Sequence, residues 1–172
     1  MKKAQIFFVI ASFLASCSVF AQGNSLDFNG TSITLNTNGS ADINLMTVTD
    51  RTLECWFQPD DVSSTIKQVI YEEGGQTNGL NIYIDSDTLY CGIWSTTDGM
   101  DDGVYLTTTA ISDGQWYHLA VTLTGATGTQ QADIFKGFLD GVEFDSGSAA
   151  SIPSHSGSVG WGDKNGRTRF HD

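Results

Sequence analysis

Charge is scarce in this sequence, and positive charge scarcer still. Charged residues make up 16% of the 172 positions, against about a quarter in an ordinary globular chain. Eight Lys and Arg face twenty Asp and Glu, a formal net charge of −12. Two of the eight are Lys2 and Lys3, so the rest of the chain is more acidic again. Such a field repels phosphate backbones and anionic lipid, so nucleic acid and membrane surfaces are poor partners, and no direct membrane insertion is expected. Cysteine is nearly absent: Cys17, Cys55 and Cys91 cannot make a disulfide framework, and their spacing gives neither a zinc site nor a redox dithiol. No apolar run makes a convincing membrane span, and no long window shows helical periodicity. Gly-x-Ser-x-Gly and the complete EF-hand loop are also missing.

What is present begins with a leader. Lys2 and Lys3 precede an apolar run from Ile6 to Phe20 and then small residues, the pattern of a signal peptide over residues 1–21. Val19-Phe20-Ala21 offers small residues at the positions a general signal peptidase needs. Leu14-Ala15-Ser16-Cys17 resembles a lipobox that would leave Cys17 lipidated. The first is favoured, because the domain pattern starts almost at once after Ala21. Either way the mature protein leaves the cytoplasm, secreted or held at the cell surface. There Cys55 and Cys91 could bridge, but both sit mid-strand among apolar residues, the setting of buried thiols.

After the leader, short runs rich in β-branched and aromatic residues recur between Gly, Asn and Asp. Strands are predicted at 25–28, 31–36, 52–58, 66–73, 80–85, 88–95, 104–109, 116–124, 133–140, 142–145, 158–161 and 167–170. Asn29-Gly30, Gly74-Gly75, Asp113-Gly114, Asp140-Gly141 and Asn165-Gly166 supply the positive φ of tight turns. The fold class is all-β, an antiparallel two-sheet sandwich or jelly roll. Alternation assigns faces. Leu53, Cys55 and Phe57 share one face, as do Leu80, Ile82 and Ile84, Leu89, Cys91 and Ile93, and Tyr117, Leu119, Val121 and Leu123; these make the core. Opposite them fall Glu54 and Trp56, Asn81 and Tyr83, Tyr90 and Trp94, and Trp116, His118 and Thr122.

The segments "SLDFNGTSITL", "LECWFQPDD", "VIYEEGGQTNGLNIYID", "TLYCGIW", "DGQWYHLAVTLTG" and "GFLDGVEF" resemble, in order, laminin-G-like domains of the concanavalin A-like lectin/glucanase superfamily. The resemblance spans 25–172, the whole mature chain. It implies a jelly roll of two stacked sheets in a secreted bacterial protein, used as a non-catalytic binding or adhesion module beside further domains of a longer parent chain. It also implies a closing C-terminal strand that these residues lack, so the domain is expected to be C-terminally truncated.

Within that resemblance, His118 of Asp-Gly-x-Trp-x-His is a framework residue that pins its strand to a neighbour by hydrogen bonding. Glycoside hydrolases of the superfamily carry two glutamates on one face of a strand, about 5–5.5 Å apart in retaining enzymes. Glu54, Glu72, Glu73 and Glu143 do not form that pattern, so no catalytic residue is expected. Relatives bind a structural Ca²⁺, which points to Asp27 with Asn29; Asp98, Asp101, Asp102, Asp163 and Asn165 offer further oxygen ligands, each equally readable as a turn cap. On the half-polar face Trp56, Tyr83, Tyr90, Trp94 and Trp116 could form a platform for pyranose rings, although aromatics also pair across strands simply to stabilise a sheet. Trp94, Tyr83, Asn81 and Trp56 are the expected carbohydrate-binding residues. The expected function is a carbohydrate-binding or adhesion module facing a cell-surface glycan; the alternatives are a ligand-silent spacer and, less well supported, a hydrolase.

Overall fold

A computed structural model of the protein describes residues 26–28, 35–37, 43, 45–157 and 159–162, with the backbone alone for 35–37. Ten strands lie within them: β1 (Leu35–Thr37), β2 (Arg51–Phe57), β3 (Gln68–Gly74), β4 (Asn78–Asp85), β5 (Thr88–Ser95), β6 (Met100–Thr108), β7 (Tyr117–Leu123), β8 (Gln131–Leu139), β9 (Val142–Ala149) and β10 (Val159–Trp161). They pair antiparallel into a six-stranded sheet, β1-β10-β3-β4-β5-β6, and a four-stranded sheet, β2-β7-β8-β9. The expected two-sheet all-β sandwich is what the chain forms. Residues 26–28, expected within a strand, are in none; the strand expected at 167–170 and the turns at Asn29-Gly30 and Asn165-Gly166 lie outside the described residues.

The hairpins form where the sequence supplies left-handed backbone. Ser86 and Asp87 (φ 48° and 66°) turn β4 into β5, and Asp140 and Gly141 (φ 52° and 80°) turn β8 into β9. Two successive positive φ values match the right-handed twist of the flanking strands, which explains the tightness of both turns. Where the sheets meet at one side, β6 and β9 are both edge strands. Asp145 Oδ2 there accepts the Thr107 N–H at 2.9 Å. A backbone donor on a sheet edge is thereby engaged instead of left open to another chain.

The inner faces follow the expected alternation. Leu80, Ile82 and Ile84, Leu89, Cys91 and Ile93, and Leu119, Val121 and Leu123 are buried in one cluster, joined by Phe135, Leu106 and Ile152. Leu53 and Cys55, on edge strand β2, are partly buried against it. Cys55 and Cys91 both carry free thiols. Burial pushes the Cys55 thiol from its ordinary 9.0 up to about 11, and pushes Cys91 higher, with Cys55 and Asp145 adding in the same direction. Tyr71 is also raised from 10.0, by burial first and then by the Glu73 charge.

These shifts make stability depend on alkaline pH. Below the ordinary thiol pKa both folded and unfolded chains hold these protons, and the contribution is fully present. Above about pH 9 the unfolded chain releases them while the folded chain does not, so stability falls as pH rises toward the folded values. By about pH 10, Cys55 alone should have removed roughly 1 kcal/mol. Urea unfolding of wild type and Cys55→Ala across that range checks this; equal slopes in both would show that Cys55 does not contribute.

Candidate functional site

The outward faces of the two sheets differ in what covers them. On β4 and β5 of the six-stranded sheet, Asn81, Tyr83 and Trp94 do point away from the inter-sheet core, as alternation expects. They are nevertheless buried, each with 0% exposure. This corrects the expectation of an exposed platform at those three positions. The physical reason lies in the glycines between them. The Trp94 indole lies over Gly79, where a β-carbon would overlap the ring, and its Nε1–H donates to the Gly75 carbonyl at 2.8 Å. Tyr105 lies over Gly92 in the same way, and the Asn81 amide fills the other side of that gap. Tyr83 stacks on its cross-strand partner Tyr90, with ring centroids 4.8 Å apart and planes within 5°. Strand glycines are what allow rings to lie flat on a sheet instead of standing out from it.

The four-stranded sheet presents its outer face differently. Trp56 on β2 is 65% exposed, and Trp116, immediately before β7, is 49% exposed. Register places Trp56 opposite His118, their ring centroids 5.2 Å apart and tilted by 46°. Glu54, two residues before Trp56 on the same face, sets Oε2 at 3.6 Å from His118 Nε2. Here the Trp56 indole, the His118 imidazole and the Glu54 carboxylate share one surface, and exposed Trp116, one residue before β7, continues the parity of His118. Of the four residues expected to bind carbohydrate, only Trp56 is on it; Trp116, His118 and Glu54 complete it.

The backbone beneath this group is well fixed. Asp140 Oδ1 accepts the His118 N–H at 2.9 Å, and the Asp140 N–H donates to the His118 carbonyl at 2.8 Å. His118 therefore does pin its strand to a neighbour, but through its main chain and the Asp140 side chain, leaving the imidazole for Glu54 and Trp56. This explains why Asp140-Gly141 accompanies Trp-x-His in the sequence. The loop leading to Trp116 is held by a second set of bonds: Asp113 Oδ1 accepts the Val62 N–H at 2.7 Å, and the Gly114 N–H donates to the Pro59 carbonyl at 2.8 Å. Gln58 Nε2 donates to the Gly114 carbonyl at 2.8 Å. Both tryptophans thus stand on ordered supports, which limits the entropy lost when a ligand packs on them.

Of the expected calcium ligands, Asp27 is exposed and Asn29 lies outside the described residues, as do Asp163 and Asn165. Phe28 lies over Gly162, whose β-carbon it would exclude, so the Asp27 segment meets the chain one residue before Asp163. Among the described residues no group of three or more His, Cys, Asp or Glu side chains is arranged to hold a metal. Asp98 is engaged by Ser151, whose hydroxyl donates to Oδ2 at 3.2 Å.

A polar cluster that alternation alone did not bring forward lies inside the sandwich. Glu73 on β3 points into the core, where Arg51 of β2 pairs with it across the two sheets. The Tyr71 hydroxyl donates to Glu73 Oε2 at 2.5 Å, and His155 Nε2 is 3.8 Å from Oε1. Arg51 falls on the apolar parity of β2, whereas the irregularity between Val69 and Tyr71 sets the direction of Glu73.

The family model Laminin_G_3, described as the concanavalin A-like lectin/glucanases superfamily, matches residues 27–172. Among solved structures, a tryptophan-to-alanine mutant of HCR/D gives a TM-score of 0.53 at 10% identity, over 74% of this chain and 30% of that one. Domains LG4-5 of the mouse laminin alpha1 chain give 0.50 at 14% identity, over 80% of this chain and 33% of that one. The carbohydrate-binding module CBM66 from Bacillus subtilis gives 0.42 at 15% identity, over 67% of this chain and 70% of that one. The chain spans about a third or less of the length of the first two, and at these identities the likeness is one of fold. No curated protein matches the sequence. The match over 27–172 and the two antiparallel sheets together place the chain in the laminin-G-like family of the concanavalin A-like superfamily.

Proposed function

We propose that this domain is a non-catalytic carbohydrate-binding module of a secreted or cell-surface protein. The observation that carries the reading is the pair of exposed indoles, Trp56 and Trp116, beside His118 and Glu54 on a braced sheet face. Large apolar rings left in water are ordinary when scattered singly; two on one face, rimmed by hydrogen-bonding groups, fit the apolar face of a sugar ring and its hydroxyls. Stacking on one such ring is worth on the order of 1 kcal/mol, by analogy with other aromatic-face contacts. Several subsites are then needed for micromolar affinity, so oligosaccharides and polysaccharides should bind where monosaccharides do not. A glycan array on the mature domain tests this. Trp56→Ala should weaken binding roughly two- to tenfold while leaving the melting temperature in place. An array with no positive glycan would favour the ligand-silent spacer instead.

A structural Ca²⁺ belongs to the same reading, with Asp27 and Asn29 as ligands. The described residues contribute only Asp27 to such a set, so the site rests on residues beyond them for completion. Calcium should raise the melting temperature by binding the folded state, and Asp27→Ala should remove that rise while leaving the calcium-free midpoint little changed. Melting curves that coincide with calcium and with EDTA would exclude the ion.

A further inference from the structure

The basic residues decide which glycans this face can take. Three Lys or Arg lie among the described residues, and each is already committed to a carboxylate. Arg51 pairs with Glu73 inside the sandwich, Lys67 Nζ lies 2.7 Å from Asp85 Oδ2, and Lys136 Nζ lies 2.9 Å from Glu143 Oε2. The Lys67 hydrogen bond, the largest cause, holds the Asp85 carboxyl below its ordinary value, as an engaged partner should. Around Trp56 and Trp116 the polar groups are Glu54, His118 and Gln58, with Asp140 behind them and the Lys136–Glu143 pair on β8 and β9.

Sulfated and uronate-bearing glycans are recognised by cations, most often arginine forks and lysines. The one Lys or Arg that this face carries among the described residues, Lys136, is paired with Glu143, and the face sits on a chain of net charge −12. A carboxylate is instead an acceptor-only group with four lone-pair sites. Glu54, exposed beside Trp56, is suited to take two hydroxyl donors from a sugar stacked on the indole. We infer that the Trp56 face binds an uncharged polysaccharide and rejects sulfated and uronic ones. The inference rests on the carbohydrate-binding reading and narrows it. Because no ion pair forms or breaks with such a ligand, binding should also be insensitive to salt.

Affinity electrophoresis of the mature domain in gels containing mixed-linkage β-glucan, xylan or galactomannan, and separately heparin or alginate, tests it at low and high salt. Retardation is expected in at least one neutral gel, equal at both salt concentrations, and none in the anionic gels. Trp56→Ala should weaken the retardation roughly two- to tenfold, and Glu54→Gln severalfold, with melting curves of both variants matching wild type. Retardation by heparin or alginate that fades with salt would overturn the inference while leaving carbohydrate binding intact. It would locate recognition at basic groups such as Lys164, Arg167 and Arg169, which lie outside the described residues. Absence of retardation in every gel would instead remove the carbohydrate-binding reading and the inference with it.

Discussion

Arg51→Met is expected to cost about 3–5 kcal/mol of folding stability, among the largest effects available to a single substitution in this domain. Glu73 is fully buried and the Arg51 side chain is only 15% exposed. Removing the guanidinium leaves a carboxylate in the sandwich with only the Tyr71 hydroxyl as a close donor and His155 at 3.8 Å. An uncompensated buried charge is penalised far more than a well-paired one is rewarded. The same reasoning makes the double replacement informative. Arg51→Met with Glu73→Met removes both charges and fills their volume, and should recover most of the loss. Urea unfolding of the two singles and the double gives the coupling directly. A single variant within about 1 kcal/mol of wild type would mean that water reaches the pair and screens it.

Strand alternation places Arg51 on the parity of Leu53, Cys55 and Phe57, but the predicted strand began one residue later, at 52. Glu72 and Glu73 are adjacent on a strand, and which of them points toward the opposite sheet depends on the irregularity between Val69 and Tyr71 in β3. A bulge shifts parity for everything beyond it, and nothing in the run "QVIYEEGG" announces one. The ion pair is also a contact between strands from different sheets. Local pattern carries each partner's direction; only the stacking of the sheets brings them together.

The same distinction governs the candidate site. Tight turns and the inner faces were legible, because each depends on residues close along the chain: Asp140-Gly141 turns a hairpin, and Leu119, Val121 and Leu123 bury together. The link between His118 and Asp140 was legible as a motif, although its chemistry proved to run through the backbone. Exposure was not legible. Trp56 and Trp94 had identical standing, each a tryptophan on the parity opposite a run of apolar residues. One stands in solvent and the other is buried, because Trp94 has Gly79 beside it on the next strand and Trp56 has His118. Cross-strand neighbours are set by register, which alternation within a single strand does not fix.

Trp94→Ala is therefore expected to destabilise the domain by about 3–5 kcal/mol, the range for truncating a buried aromatic. The loss has three parts: the apolar area of the indole returns to water on unfolding of the wild type but not of the variant, a cavity opens above Gly79, and the Gly75 carbonyl loses its donor. Trp56→Ala should shift stability by less than about 1 kcal/mol, because a side chain 65% exposed surrenders little burial. The two variants then separate the roles of the two rings in one pair of measurements. Trp94→Ala should lower the melting temperature and leave the affinity of whatever remains folded unchanged; Trp56→Ala should do the reverse. Gly79→Ala is expected to be destabilising as well, since its methyl group would meet both the Glu73 carbonyl oxygen on the neighbouring strand and the Trp94 indole. It should reproduce a substantial share of the Trp94→Ala destabilisation and quench or shift Trp94 fluorescence. If Trp94→Ala instead melts with wild type, the indole is not held over Gly79 in solution, and the outer face of the six-stranded sheet becomes available to a ligand after all.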